Sequence, residues 1–244
     1  MKGYTITDIG KVRSENQDCV RYVQNKIPSY GILALCDGMG GAKAGSVASN
    51  IALNSFIAQV TENISDKKGK DEISETVKAA VDEANKCVYE RSLSDASCEG
   101  MGTTLVAAVV KGKTCFIANV GDSRAYLISG GGIEQITHDH SFVEEMVGRG
   151  AITREQARIH PKRNIITRAL GSEAEVVCDI FTPELKKNDL LLLCSDGLSN
   201  TLGDSEILEV ITSRKKLSDI VKELLDMALS RGAPDNVTVG LLRK

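Results

Sequence analysis

Two apolar runs, "LALCDGMGG" at 33–41 and "LLLLCSDG" at 190–197, each break off at an aspartate followed by a glycine. Both read as buried strands, so the rest of the chain has to fold around them. The question they raise is why a buried strand should end on Asp37, or run into Asp196, where side chains are nearly absent.

The surrounding pattern gives these strands company. Seven more are expected at residues 3–9, 19–24, 103–110, 114–120, 124–128, 176–182 and 236–242, beside the two apolar runs at 31–37 and 189–194. Ala48, Ala52, Phe56 and Val60 recur at helical spacing within 43–62. Ile73, Val77, Ala80, Val81, Ala84 and Val88 do so within 71–92. Helices are also expected at 205–213 and 216–230, the second with an apolar face from Leu217 to Ala228. "SDKKGKDE" (65–72) reads as a loop between helices and "SGGG" (129–132) as a turn between strands. Residues 139–170 are polar, with short helices. The connections between 103 and 128 are too short for helical crossovers, so those strands should be antiparallel. Strands in runs and helices in pairs argue for an α+β fold, with helices packed outside antiparallel sheets. No linker or fixed-period repeat divides the 244 residues, and 42% hydrophobic content is enough for a sizeable core. Residues 1–244 are therefore expected to form a single domain.

Composition removes several function classes. A net charge of -3, 4% aromatic residues and no basic stripe argue against nucleic acid. The apolar runs are too short to span a bilayer, and "MKGYTITDIG" lacks the apolar stretch of a signal peptide. Seven scattered cysteines without C-x-x-C fit reduced thiols in a cytosol.

Five aspartates lie at strand ends: Asp18, Asp37, Asp122, Asp196 and Asp235. One Asp-Gly after a strand reads as a turn; five such acids do not. If those ends share one edge of the core, the carboxylates cluster, and the cluster stays ionised only if a cation neutralises it. Oxygen ligands select Mg²⁺ or Mn²⁺ over zinc. Gly38 would then expose a backbone carbonyl, and the bare loop would leave room for a hydrated metal and a substrate. Other chemistries fail on spacing. None of the seven cysteines has an arginine six residues on. "GGAKAGS" (40–46) has Ser46 where a phosphate loop needs lysine, and "GDSRA" (121–125) has Ala125 where a nucleophile elbow needs glycine. His138, His140 and His160 lack helical metal spacing and read as surface or structural histidines.

"RSENQD", "DGMGG", "GMGTT", "GDSRAY", "ITRALG", "SDGL" and "PDN" occur in this order. Together they resemble the type 2C, metal-dependent serine/threonine protein phosphatases in their compact bacterial form. The resemblance implies a four-layer α/β/β/α sandwich, two antiparallel sheets flanked by helix pairs. It implies hydrolysis of phosphoserine and phosphothreonine by a metal-activated water, without a covalent intermediate. Two tightly bound Mn²⁺ or Mg²⁺ ions would sit at one edge, with a third, weaker one. Asp37 would bridge the two ions, Gly38 would give its carbonyl to one, and Asp196 and Asp235 would complete the direct shell. Asp18 would act through metal-bound water, and Asp122 with Asp196 would hold the third ion. Arg13 resembles the arginine that binds substrate phosphate, and Asn236 would orient Asp235. By the same resemblance Arg13, Asp37 and Asp196 carry catalysis, and residues 139–175 form a flap beside the cleft. Arg168 in that segment would assist docking or serve structure.

Two departures stand out. Gln17 takes the place of a frequent acid, and Met39 and Ala42 take places where many members carry a histidine. Protonation of the leaving oxygen would then fall to metal-bound water or another group. The expected partners are phosphorylated proteins made by a bacterial Ser/Thr kinase, met by a cytoplasmic monomer. A pseudophosphatase should lack metal acids, and none of the five is missing. A Ca²⁺-binding protein should pack its ligands in one short loop, whereas these span more than 200 residues.

Overall fold

The computed structural model describes residues 1–27, 29–40, 44–213 and 215–244. The first half of the chain forms β1 (Lys2–Asp8), β2 (Asp18–Lys26), β3 (Ser29–Met39), α1 (Ala44–Asn63), α2 (Lys70–Ser94), β4 (Gly102–Thr103), β5 (Leu105–Lys111) and β6 (Thr114–Val120). The second half forms β7 (Arg124–Ser129), β8 (Gly132–Gln135), α3 (Phe142–Gly148), α4 (Arg154–Arg158) and β9 (Asp179–Phe181). It continues with β10 (Leu190–Cys194), α5 (Asp196–Ser199), α6 (Asp204–Thr212), α7 (Leu217–Ser230) and β11 (Val237–Arg243).

These strands make two sheets, one in the order β1-β11-β10-β7-β8, the other β2-β3-β5-β6-β9 with β4 beside β3. The strand pairings are antiparallel throughout. The sheets stack face to face, with α1 and α2 outside one and α6 and α7 outside the other, giving the α/β/β/α sandwich.

The two-residue period of a strand explains why the apolar runs are continuous. On β10, Leu190, Leu192 and Cys194 face α6 and α7. Leu191 and Leu193 point the other way, into the layer between the sheets. On β3, Ile32, Ala34 and Cys36 face α1 and α2, and Leu33 and Leu35 face the opposite sheet. Each strand is covered on both faces, so each position is apolar. Burying one such leucine contributes about 1.5–3 kcal/mol. On α7, Ile220, Val221, Leu224, Leu225 and Ala228 supply the covering stripe.

The expected elements recur with shifted ends. The strand expected over 31–37 runs from Ser29 to Met39, two residues past the aspartate. The strand expected over 103–110 is interrupted at Thr104. That expected over 176–182 shrinks to Asp179–Phe181. β8 carries no counterpart in the sequence reading, because four residues of alternating exposure give less than a recognisable pattern. The helix start expected at residue 43 lies outside the described residues. Among the described residues, no helix is long and apolar enough to cross a membrane.

Antiparallel pairing sets the direction of every strand end. The start of β2, the end of β3 and the end of β6 lie on one edge of their sheet. The end of β10 and the starts of β7 and β11 lie on the same edge of the other.

Candidate active site

All five aspartates arrive at that shared edge. Asp18 opens β2 directly opposite Asp37 on β3. Asp122 lies in the turn between β6 and β7, Asp196 begins α5 just after β10, and Asp235 precedes β11. Asp37, Gly38, Asp122, Asp196 and Asp235 line one cleft of about 400 Å³, with Arg13, Glu15, Asn164 and Ile166 on its walls. Asp18 sits behind them, buried.

Each carboxylate is held differently. Asp18 Oδ2 accepts hydrogen bonds from Ser195 Oγ at 2.8 Å and Thr238 Oγ1 at 2.6 Å. Ser195 Oγ in turn accepts from the Thr238 backbone N–H at 3.0 Å, so this knot joins β2, β10 and β11. Asp196 Oδ2 accepts from Asn200 Nδ2 at 3.0 Å, one helical turn on. Asp235 Oδ1 accepts from the Asn236 N–H at 2.8 Å, and its Oδ2 from Arg13 Nη2 at 2.7 Å. Two buried oxygens are left over: Asp18 Oδ1 and Asp196 Oδ1 have no hydrogen-bond partner among the described residues.

The charges resist this arrangement. Burial, and then repulsion from Asp18, Asp196, Asp122 and Asp235, hold the Asp37 carboxyl well above the usual range. Burial and the neighbouring acids do the same to Asp196. Burial pushes Asp18 and Asp122 up to about 6. Buried and half-buried carboxylates with orphaned oxygens, gathered at one cleft, fit a hard cation and its water shell. Among the described residues, no three His, Cys, Asp or Glu side chains converge into a ready-made coordination geometry. The acids line a cleft wide enough for ions with water between them and do not close on one point.

The backbone at Asp37 explains the glycines. A Cβ at Gly38 would lie 2.1 Å from the Gly45 carbonyl oxygen and 2.7 Å from that of Gln17. Its missing side chain thus admits the start of α1 beside the carbonyl that the sequence singles out. At Asp37 a side chain takes over part of the sheet ladder. The Asp37 N–H donates to Thr104 Oγ1 at 2.9 Å, and the Asp37 carbonyl accepts from the Thr104 N–H and the Thr103 hydroxyl, each at 2.9 Å. This substitution separates β4 from β5. Thr104 Oγ1 also lies 2.8 Å from Ser123 Oγ, beside Asp122.

Asn236 holds Asp235 through its backbone N–H, and its side chain is engaged elsewhere. Its Oδ1 accepts from the Gln17 N–H at 2.8 Å, and its Nδ2 donates to the carbonyls of Ile9 at 2.9 Å and Glu15 at 3.0 Å, pinning the loop that carries Arg13. Arg168 pairs with Asp179 at 3.1 Å and does not line the cleft. His138 is exposed and His140 is buried, neither one lining the cleft. Met39 borders the cleft, whereas Ala42 lies outside the described residues. Sequence reasoning missed Thr104, Ser123, Ser195, Asn200 and Thr238. Short polar residues beside each aspartate were the available signal.

Residues 11–238 match the family model described as protein phosphatase 2C. The serine/threonine phosphatase stp of Listeria monocytogenes is 39% identical over 238 residues, covering 98% of this chain and 94% of that one. The structure of the S. agalactiae serine/threonine phosphatase superposes with a TM-score of 0.91 at 36% identity, over 98% of each chain. The catalytic domain of the phosphatase PstP, solved with two manganese ions, superposes with a TM-score of 0.86 at 36% identity, over 98% of this chain and 96% of that one.

Proposed function

We propose the chemistry of this site from one premise: the chain belongs to the protein phosphatase 2C family. It is a metal-dependent serine/threonine protein phosphatase. The observation that carries the metal reading is the pair of buried, partnerless oxygens on Asp18 and Asp196. A buried carboxylate oxygen without a partner is costly, and a cation or its water removes that cost.

We assign two tight cations, Mn²⁺ or Mg²⁺, to Asp37, the Gly38 carbonyl, Asp196 and Asp235, with Asp18 behind them. A weaker third ion is assigned to Asp122 and Asp196. PstP, with its two manganese ions, supports the count of tight ions. Bound cations supply Lewis acidity toward phosphoryl oxygens and lower the pKa of water. Arg13 is assigned to substrate phosphate, because its planar fork matches two phosphate oxygens. That fork rests on Asp235, at 2.7 Å, and it stands on the cleft wall, placed to exchange carboxylate for phosphate. Asp18 is clamped through one oxygen by Ser195 and Thr238, and its other oxygen has no hydrogen-bond partner among the described residues. No histidine lines the cleft among the described residues, so the proton of the leaving serine oxygen is assigned to water or to another cleft group.

Residues 1–244 act in this reading as a single catalytic domain, and 139–175 as a flap, through Asn164 and Ile166 on the cleft wall. The substrates are phosphoproteins of a bacterial Ser/Thr kinase, and the enzyme works as a monomer in the cytoplasm. The deciding assay is phosphate release from phosphoserine and phosphothreonine peptides with Mn²⁺ or Mg²⁺, and with chelator. Turnover should stop on chelation. Full activity in excess chelator, with no metal retained by elemental analysis, would overturn the assignment.

A further inference from the structure

We propose that His140 is a positioning residue that holds the Gly121–Asp122 turn against the segment that follows it, and thereby aims the Asp122 carboxylate. The inference rests on Asp122 being a ligand of the weaker cation.

His140 is 6% exposed, and both ring nitrogens are engaged. Nδ1 lies 3.0 Å from the Gly121 backbone nitrogen. An amide N–H only donates, so Nδ1 carries a lone pair and the ring proton sits on Nε2. Nε2 then donates to Asp179 Oδ2 at 3.1 Å. Arg168 Nη1 lies 3.3 Å from Nε2, but both atoms carry hydrogen, so that contact is not a hydrogen bond; Asp179 Oδ1 holds Arg168 at 3.1 Å instead. Burial pushes the imidazole below its ordinary pKa, which keeps it neutral. The main chain doubles the clamp. The His140 N–H donates to the Gly121 carbonyl at 2.9 Å, and the His140 carbonyl accepts from the Thr167 N–H at 2.8 Å.

The turn needs this hold. Gly121 has φ of +109°, and a Cβ there would lie 2.6 Å from Thr104 Cγ2. Thr104 thus blocks one side of the turn, and His140 secures the peptide from another. The Asp122 side chain springs directly from this turn, between β6 and β7. Its direction therefore follows the turn, and the turn follows His140.

Two variants separate the two arms of the ring. In His140→Asn, the side-chain oxygen stands where Nδ1 stood and keeps the Gly121 bond while losing Asp179. In His140→Gln, the longer side chain reaches the Nε2 position and keeps Asp179 while losing Gly121. Loss of a hydrogen bond behind a metal ligand typically costs about 10–100-fold in affinity or activity. With Mn²⁺ titrated against each protein, His140→Gln should weaken the low-affinity ion about tenfold, lower kcat in parallel, and leave KM and the tight-ion stoichiometry unchanged. His140→Asn should stay within about threefold of the parent. If both variants fall alike, or if the loss follows melting temperature across the set, the proposal is overturned. Asp122→Ala serves as the control: if it keeps the weak ion, the Asp122 reading has failed. If it loses that ion and His140→Gln keeps it, the His140 proposal alone has failed. Nitrogen-15 shifts of the His140 ring in metal-free protein give a readout independent of turnover. They should show an unprotonated Nδ1 and a protonated Nε2, and the opposite tautomer would refute the geometry.

Discussion

Asp18 and Asp37 are cross-strand partners, directly opposite each other on adjacent antiparallel strands. Like charges in that relation oppose the sheet that presents them. The metal-free protein should therefore be strained at neutral pH and relieved by acid. Asp18 and Asp122 are raised to about 6, and Asp37 and Asp196 stand well above their ordinary values. Between the ordinary and the raised pKa, the folded state binds more protons than the unfolded one, so stability falls as pH rises. His140, lowered by burial, works the other way, losing its contribution as pH falls, but it is one group against four. In excess chelator, the melting temperature should rise as pH is lowered from about 7 to about 5. Adding Mn²⁺ should raise it more at pH 7 than at pH 5. A metal-free melting temperature that is flat or falls over this window would contradict the electrostatic account.

Replacing one member of the pair tests the same strain without changing pH. Asp37→Asn keeps the shape and removes one buried charge. It should abolish turnover, weaken tight Mn²⁺ binding, and melt higher than the parent when both are metal-free at neutral pH. Calorimetry of the two proteins with chelator decides this, and a lower melting temperature for the variant would count against it.

Arg13→Ala separates binding from chemistry. The Arg13 side chain is 55% exposed, so its ion pair with Asp235 contributes at most about 1 kcal/mol to stability. The melting temperature should barely move. KM for a small phosphate ester should rise about tenfold with kcat largely kept, because the contact exists in ground and transition states alike. An unchanged KM removes Arg13 from the substrate site.

Thr104→Val deletes the hydroxyl that serves the Asp37 N–H and Ser123. A buried N–H left unpaired costs about 1–3 kcal/mol. For a chain of this size that lowers the melting temperature by about 2–4 °C per kcal/mol. Turnover should fall too, since the Asp37 backbone loses its anchor, and Thr104→Ser should restore both. Recovery of stability without turnover would show that the Thr104 methyl group, and not its hydroxyl, positions Asp37.

The α+β class was legible because β3 and β10 are continuous apolar runs and α2 and α7 keep helical spacing, whereas the four-layer order came only with the family resemblance. The strand-end acids were legible for a related reason, since each interrupts such a signal. What escaped was written in shorter code. Thr104 completes a ladder through its side chain, which no periodicity records. Ser195 and Thr238 are ordinary polar residues until the fold brings both onto Asp18. Asn236 was noticed for its neighbour in sequence, Asp235, yet its side chain serves a loop more than 200 residues away. Gly38 was noticed for its carbonyl, and its close packing against Gly45 was not. The reason in each case is a partner that only tertiary structure supplies.

β11 lies between β1 and β10 in its sheet. During synthesis β1 therefore leaves the ribosome long before its only partner in that sheet exists. At about 5–20 residues per second the wait is roughly 10–50 s. The sequence of β1, KGYTITD, with alternating exposed positions, suits a ribbon that must stay in water meanwhile. Asp235 is delivered with β11, so the cluster of five carboxylates is complete only when that sheet closes.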